Sequence, residues 1–188
     1  MFYRFRPFII LTAKGLGYLP KPMLRFLYQI SEPFPWLFFV FVRYVTVYNL
    51  CRRVGDNVFI GNHVELRNIE CMSIGSNVSI NKGTYIDAIG GIEIGDDVSI
   101  AHGCSLVSFE HGWSDSAKPI RKNPLELKPI SISNDVWIGA GVRILAGARI
   151  NQRCIVAAGA VVTPRSESES GVLLAGVPAT VKKRLEEV

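Results

Sequence analysis

The chain reads as an all-β protein, a β-helical prism of about five coils with a helical, aromatic segment before it and a short helix after it. Two observations lead there. Ile132, Ile138, Ile144, Ile150, Val156 and Val162 stand six residues apart without a break. The same spacing runs earlier through three sets: Val54, Ile60 and Leu66; Ile74, Ile80 and Ile86; Ile94, Ile100 and Leu106. A helix repeats its apolar positions every three or four residues and a half-buried strand every two, so neither explains a period of six. Each six-residue unit is one flat side of a prism, and function must sit on the outside of a rigid rod. A β-sandwich with short strands is set aside because its irregular loops would spoil so regular a period.

Within the repeat, the step from Leu66 to Ile74, and from Ile86 to Ile94, is eight residues, so two extra residues bulge out at each. The second position of the unit is small at Gly55, Gly61, Gly75, Gly95, Ala101, Gly139 and Ala157. A corner there needs either a positive φ or a close backbone approach. The fifth position is small or β-branched, as at Val58, Val78, Thr84, Cys104, Val142, Cys154 and Ala160, which suits a narrow interior. Fifteen units at three per coil give a prism roughly 24 Å tall.

Residues 1–53 precede the repeat and hold eight Lys or Arg against one Glu, 8 − 1 = +7. Residues 54–188 hold thirteen basic and fifteen acidic residues, 13 − 15 = −2. The excess positive charge therefore lies outside the repeat, which argues against a nucleic-acid groove along the prism. Aromatics are dense in the first fifty residues, among them Phe26, Tyr28, Phe34, Trp36, Phe38, Phe39, Phe41, Tyr44 and Tyr48, with Lys14, Lys21, Arg25 and Arg43 threaded through them. Prolines at 33 and 35 and Arg43 in the most apolar window argue against a transmembrane helix. No compact apolar run followed by a small-residue cleavage site marks a secretory leader. Pro20, Pro22, Pro33 and Pro35 divide the segment into roughly two helical pieces. These pieces either pack on the prism or a neighbouring subunit, or lie in the headgroup layer as a monotopic anchor. The close mixing of aromatic and basic residues favours the anchor. Cys51, Cys71, Cys104 and Cys154 show no metal spacing, require no oxidising compartment, and at 104 and 154 fall on inward positions.

The longest break in the period lies between Leu106 and Ile132, where residues 107–130 form a long polar excursion. Such excursions are where a stiff scaffold acquires function. This one contains Ser108-Phe109-Glu110-His111 and, with His111, an imidazole able to accept a proton from a hydroxyl.

Five segments in order give the chain a recognisable form: Ser108-Phe109-Glu110-His111 in the excursion, the return through Lys128-Pro129-Ile130, Asn134 to Gly141 around Trp137, then Ala157 to Thr163 and Leu174-Ala-Gly-Val-Pro178. Over about residues 54–188 the chain resembles the hexapeptide-repeat acyltransferases, and more narrowly the maltose, galactoside and nodulation-type and the colanic-acid-type sugar O-acetyltransferases. The resemblance implies a left-handed parallel β-helix, a homotrimer with active sites between subunits, and acetyl-CoA as co-substrate in the groove between prisms, with no metal. It makes His111 the general base toward an acceptor hydroxyl. Glu110, Asp115 or a backbone carbonyl is left open as the orienting partner of the imidazole. It places Asn81, and one unit on Asp87, at the acceptor. Trp137, Ala140, Ala158 and Thr163 fall along the cofactor, and Lys183, between Lys182 and Arg184, near its phosphates. The family has Lys directly after the threonine. Here Pro164 and then Arg165 follow, with an insertion at 166–170, so Arg165 stands in for the missing charge.

Three histidines, His63, His102 and His111, raise a zinc enzyme of the γ-carbonic-anhydrase kind as an alternative, but their spacing does not fit it. A non-catalytic trimeric scaffold at the membrane is the other alternative, and His111 and Trp137 speak against it. The expected protein is a trimeric acetyl-CoA-dependent O-acetyltransferase, cytoplasmic and peripheral at the inner membrane face through residues 1–50. Its expected acceptor is a sugar or lipid-linked oligosaccharide in surface-polysaccharide assembly.

Overall fold

The computed structural model describes residues 6–166 and 169–185. Three helices lead into a parallel β-solenoid: α1 (Arg6–Leu16), α2 (Lys21–Ser31) and α3 (Leu37–Leu50). The prolines cut the segment into three pieces rather than the two expected. Pro22 lies in the first turn of α2, where its missing N–H breaks no helical bond. Pro35 leaves Trp36 as the N-cap of α3.

The solenoid has three flat faces, each a parallel sheet of stacked short strands. The first face stacks Arg53–Val54, Met72–Ile74, Ile92–Ile94, Ile130–Ile132 and Arg149–Ile150. The second stacks Phe59–Ile60, Ser79–Ile80, Ser99–Ile100, Trp137–Ile138, Ile155–Val156 and Val172–Gly176. The third stacks Glu65–Arg67, Tyr85–Asp87, Ser105–Val107, Arg143–Ile144 and Val161–Val162. The register follows the sequence period: Val54 pairs with Ile74, Ile74 with Ile94, Ile94 with Ile132 and Ile132 with Ile150. Five coils are complete and Val172–Gly176 begins a sixth, one strand more than the fifteen units read from the sequence.

The first residue of each unit fills the prism interior. Ile60, Ile80, Ile100, Ile138 and Val156 are all fully buried, and so are the small fifth-position residues Val58, Thr84, Cys104 and Cys154. The second-position glycines serve close approach rather than positive φ. A Cβ on Gly75 would stand 2.5 Å from the backbone of Gly95, and one on Gly139 would stand 2.6 Å from the Ala158 nitrogen. Left-handed residues lie two positions further on, as at Asn57, Asn77, Asp97, Asp135 and Arg153.

The expected C-terminal helix is not there. Ala179–Arg184 runs antiparallel to Val172–Gly176 as a hairpin. Alternate residues explain this: Val172 and Leu174 face the core, Ala179 is buried beside them, and Gly176 (φ 104°) with Pro178 reverses the chain. A period of two outweighed the basic run at 182–184 that suggested a helix terminus.

The helices close the open end of the prism. Gly61 N–H bonds to Ile80 O of the second coil, so the corresponding carbonyl of the first coil, at Ile60, has no strand beyond it. An open solenoid end leaves such groups unpaired, and they must be covered. Arg43, fully buried, donates from Nε to Ile60 O (2.9 Å) and from Nη1 to Ser31 O (2.5 Å) and Phe34 O (2.9 Å). Tyr28 Oη donates to Val64 O at 2.6 Å, Tyr44 Oη to Gly55 O at 3.2 Å, and His63 N–H to Glu32 O at 2.8 Å. The charge that argued against a membrane span is the fastening of the cap. α1 is tied in turn to α3 by Asn49 Nδ2 to Ala13 O at 2.8 Å.

Candidate active site

The excursion leaves the prism after Ser105–Val107 on the third face and returns at Ile130–Ile132 on the first, so it projects from the edge between them. It is a hairpin: Phe109–His111 pairs antiparallel with Leu125–Leu127, with His111 opposite Leu125. Its root is fixed. Ser108, fully buried, donates from Oγ to Asp87 O (2.9 Å) and accepts from Gly90 N–H (2.9 Å). Lys128 N–H bonds to Ser108 O (3.0 Å), and Gly147 N–H of a later coil to Lys128 O (3.2 Å). The tip is folded around Asn123, itself buried, which accepts from Asp115 N–H (3.1 Å) and donates to the carbonyls of Asp115, Lys118 and Pro119. A short polar hairpin is thereby held rigid at both ends.

His111 stands exposed at the end of its strand. Successive residues of a strand point to opposite faces, so Glu110 points away from His111. Glu110 lies directly opposite Glu126, and Lys128 Nζ bridges them at 3.0 Å and 2.8 Å. Hydrogen bonds donated to Glu126 and Glu110 raise the Lys128 ammonium above the usual lysine range. Asp115 holds Lys118 at 2.8 Å. Both carboxylates considered as orienting partners of the imidazole hold a lysine.

The remaining expected residues fall at two edges. The edge between the second and third faces carries Asn81, Ala140 and Ala158. Asn81 Nδ2 donates to Ile100 O at 2.8 Å, and Gly159 N–H to Ala140 O at 2.8 Å. Asn81 borders a groove of about 370 Å³ with Phe59, Gly61, Asn62, Lys82, Ala101 and His102. The edge of the excursion carries His111, Asp87, Thr163 and Arg165. Asp87 and Asn81 are one unit apart in sequence and so one edge apart in space. Asp87 is almost fully buried, and its carboxylate accepts from Asn68 Nδ2 (2.7 Å), Ile89 N–H (3.2 Å) and Tyr85 Oη (3.4 Å). Thr163 closes a turn, its Oγ1 accepting from Arg165 N–H at 3.2 Å.

Thr163 and Arg165 line a groove of about 510 Å³ with Glu110, Trp113, Lys128, Leu145, Pro164 and Pro178. Trp113 was not singled out from the sequence. Its signal was an aromatic two residues beyond His111 in an otherwise polar excursion, and it is 65% exposed. Trp137 lies on the second face, 55% exposed, between Ser99 and Ile155 of adjoining strands. Lys183 lies on the outer strand of the C-terminal hairpin, opposite Leu173. One chain therefore carries His111 at one edge and the groove of Asn81 at another.

Residues 129–164 match the model of the bacterial transferase hexapeptide (six repeats), and residues 53–88 match that of the hexapeptide repeat of succinyl-transferase. The repeat is that of the left-handed β-helix. A stretch of 65 residues is 45% identical to the 2,3,4,5-tetrahydropyridine-2,6-dicarboxylate N-acetyltransferase of Staphylococcus aureus, covering 35% of this chain and 26% of that protein. The match thus spans about a quarter of that relative's length. A hexapeptide-repeat-containing acetyltransferase from Vibrio cholerae shares the fold with a TM-score of 0.77, 24% identity and 94% of each chain covered. A galactoside acetyltransferase in complex with coenzyme A superposes with a TM-score of 0.75 and 26% identity, over 96% of this chain and 82% of that chain.

Proposed function

We propose that this chain, which carries the transferase hexapeptide repeat in both halves of its prism, is an acetyl-CoA-dependent O-acetyltransferase acting on a sugar hydroxyl. One observation carries the reading. The longest interruption of the solenoid is a hairpin, anchored at its root and tip, that presents His111 to solvent at the edge that also carries Thr163 and Arg165. The likeness to a galactoside acetyltransferase holding coenzyme A, over nearly the whole chain, supports the same chemistry.

In this reading His111 takes the proton of an acceptor hydroxyl as its oxygen attacks the thioester carbonyl. The new C–O bond forms, the C–S bond breaks, and the imidazolium returns its proton to the departing thiolate. No acyl-enzyme is required, because holding both substrates at one place supplies much of the rate. Thr163, Arg165, Ala140, Ala158, Trp137 and Lys183 hold the coenzyme, and Asn81 and Asp87 the acceptor side. These residues stand at different edges of one prism, so a homotrimer that sets the excursion of one subunit against the second face of the next assembles them. The acceptor is a sugar or a lipid-linked oligosaccharide of surface-polysaccharide assembly. The basic aromatic segment holds the enzyme to the cytoplasmic face of the membrane and gives it no advantage with a freely soluble sugar.

The test is coenzyme A release from acetyl-CoA with a panel of sugars and a lipid-linked glycan extract, comparing wild type with His111→Ala. Acceptor-dependent release reduced by about 10²–10⁴-fold in the variant, with acetyl-CoA binding retained, is the expected result. Absence of both release and acetyl-CoA binding in the wild type would overturn the reading in favour of a scaffold.

A further inference from the structure

The cap that closes the prism has a second face. α2 turns Leu24, Tyr28 and Ser31 inward and leaves Met23, Phe26 and Ile30 exposed on the side away from the prism, at spacings of three and four. A surface helix in a soluble protein presents polar residues there. The turn into α3 continues the apolar surface. Trp36, Leu37 and Phe38 are each more than half exposed, and Phe34 stacks on Trp36 (5.5 Å) and Phe39 (4.5 Å) while Phe38 meets Phe39 edge-on (5.3 Å). These rings are ordered against each other before anything covers them. Lys14 of α1 and Lys21 at the start of α2 are exposed. No helix among the described residues is long and apolar enough to cross a membrane.

We infer that this end face docks on the surface of an anionic phospholipid bilayer, with Met23, Phe26, Ile30, Trp36 and Phe38 in the acyl boundary and the lysines at the headgroups. Charge chooses the occupant: exposed lysines beside an apolar surface complement anionic lipid, whereas a second copy of the same face would meet like charge. Position supports it as well. Tyr28 and Arg43 bond to carbonyls at the open end of the first coil, so the opposite side of the helices looks outward along the prism. The flat sides and edges stay clear for subunit contact. Docked this way, the groove of Phe59, Asn81, Lys82 and His102, built on the first three coils, lies nearest the lipid, and Thr163 and Arg165 on the fifth coil lie farthest. An acceptor anchored by a lipid would enter from the bilayer side while coenzyme enters from the cytoplasm. That consequence rests on the acetyl-transfer reading above; the docking itself does not.

The experiment is co-sedimentation of the full chain with vesicles of phosphatidylglycerol and phosphatidylethanolamine, against phosphatidylcholine alone, for wild type, Phe26→Ser and Phe38→Ser. Solution mass and turnover on any competent soluble acceptor are measured in parallel. The expected result is pelleting with the anionic vesicles, weakened by salt and reduced by about tenfold in each variant, with mass and turnover unchanged. Tryptophan emission should shift to the blue on binding, and Trp36→Phe should lose most of that shift while still pelleting. A wild type that stays in the supernatant overturns the proposal. So do variants that pellet normally but lose oligomer mass, which would make this face a contact between copies. Pelleting without turnover would leave docking standing and count against the enzyme reading alone.

Discussion

Arg43 and Ile60 meet across the boundary between the helical cap and the prism: the guanidinium Nε donates to the Ile60 carbonyl at 2.9 Å. The same side chain holds two carbonyls of the turn between α2 and α3, at Ser31 and Phe34. One residue thus joins the cap to the coil it covers. Burial pulls its pKa down, with the nearby Tyr28 and Glu32 acting in the opposite direction, and it is held as a cation by carbonyl oxygens rather than a carboxylate.

Arg43→Ala should therefore cost about 3–5 kcal/mol, because it leaves buried carbonyls at Ile60, Ser31 and Phe34 without donors. Arg43→Lys should not restore it, since an ammonium cannot match the planar fork. Chemical denaturation of the three proteins checks this, with hydrogen exchange showing loss of protection first in α2 and α3.

Gly90 and Gly15 should respond to alanine in opposite directions. A Cβ on Gly90 would stand 2.0 Å from the Ser108 carbonyl oxygen, at the root of the excursion. Gly90→Ala should cost about 1–3 kcal/mol and displace the hairpin. Gly15 in α1 has nothing within 4 Å of such a Cβ. Gly15→Ala should stabilise the helix by about 0.5–1 kcal/mol. Thermal unfolding of the two variants gives the comparison.

Lys128 carries a pH dependence. Its folded pKa is raised, so its support of the hairpin is complete below the unfolded lysine value of about 10.4 and fades only as pH rises through the higher folded value. Lys128→Met would leave Glu110 directly opposite Glu126 with no cation between them. The variant hairpin should be weaker than the wild type near neutral pH, because like charges then stand directly opposite. Amide exchange at residues 109–111 and 125–127 reads the effect.

Asn123→Ala should loosen the tip of the excursion at a cost of about 1–3 kcal/mol, confined to that region. Arg121 and Lys122 are exposed there. Trypsin should cut the variant after these residues faster than the wild type, with the rest of the prism left intact.

Cys51 should resist alkylation in the folded protein at about pH 8 and react once the chain is unfolded. Burial, with the Glu70 charge as a smaller cause, pushes its thiol up to about 12. Mass spectrometry after brief iodoacetamide treatment distinguishes the two states.

The solenoid was legible because its interior repeats. Ile132, Ile138 and Ile144 each fill the same place in successive strands, so their spacing carried the architecture. The excursion was legible as an interruption of that spacing, and His111 as its proton acceptor candidate. What escaped depends on contacts distant in sequence. Arg43 looked like a defect in an apolar stretch, because its partner Ile60 lies seventeen residues on in a different element. Residues 179–184 looked helical because their basic charges were visible and their pairing with Val172–Gly176 was not. Asn81 and Asp87 looked alike by their place in the unit, yet a three-sided prism turns successive units to different edges. The buried Asn123 gave no signal, since an asparagine folding a loop and an exposed one read alike in sequence.

Three coils stand between the helical cap and the hairpin of His111, roughly 14 Å at the usual spacing of stacked strands. Asn57, Asn77 and Asp97 mark the same point in each, twenty residues apart, with Asn57 Nδ2 bonded to Asn77 Oδ1 and Asn77 Nδ2 to Asp97 Oδ1. Because neighbouring coils make the same contacts, removing or duplicating one coil would move the hairpin by a single fixed step and spare both ends. The prism is in this respect a yardstick: the number of coils, which is only a count of residues, sets how far from the capped end His111 stands.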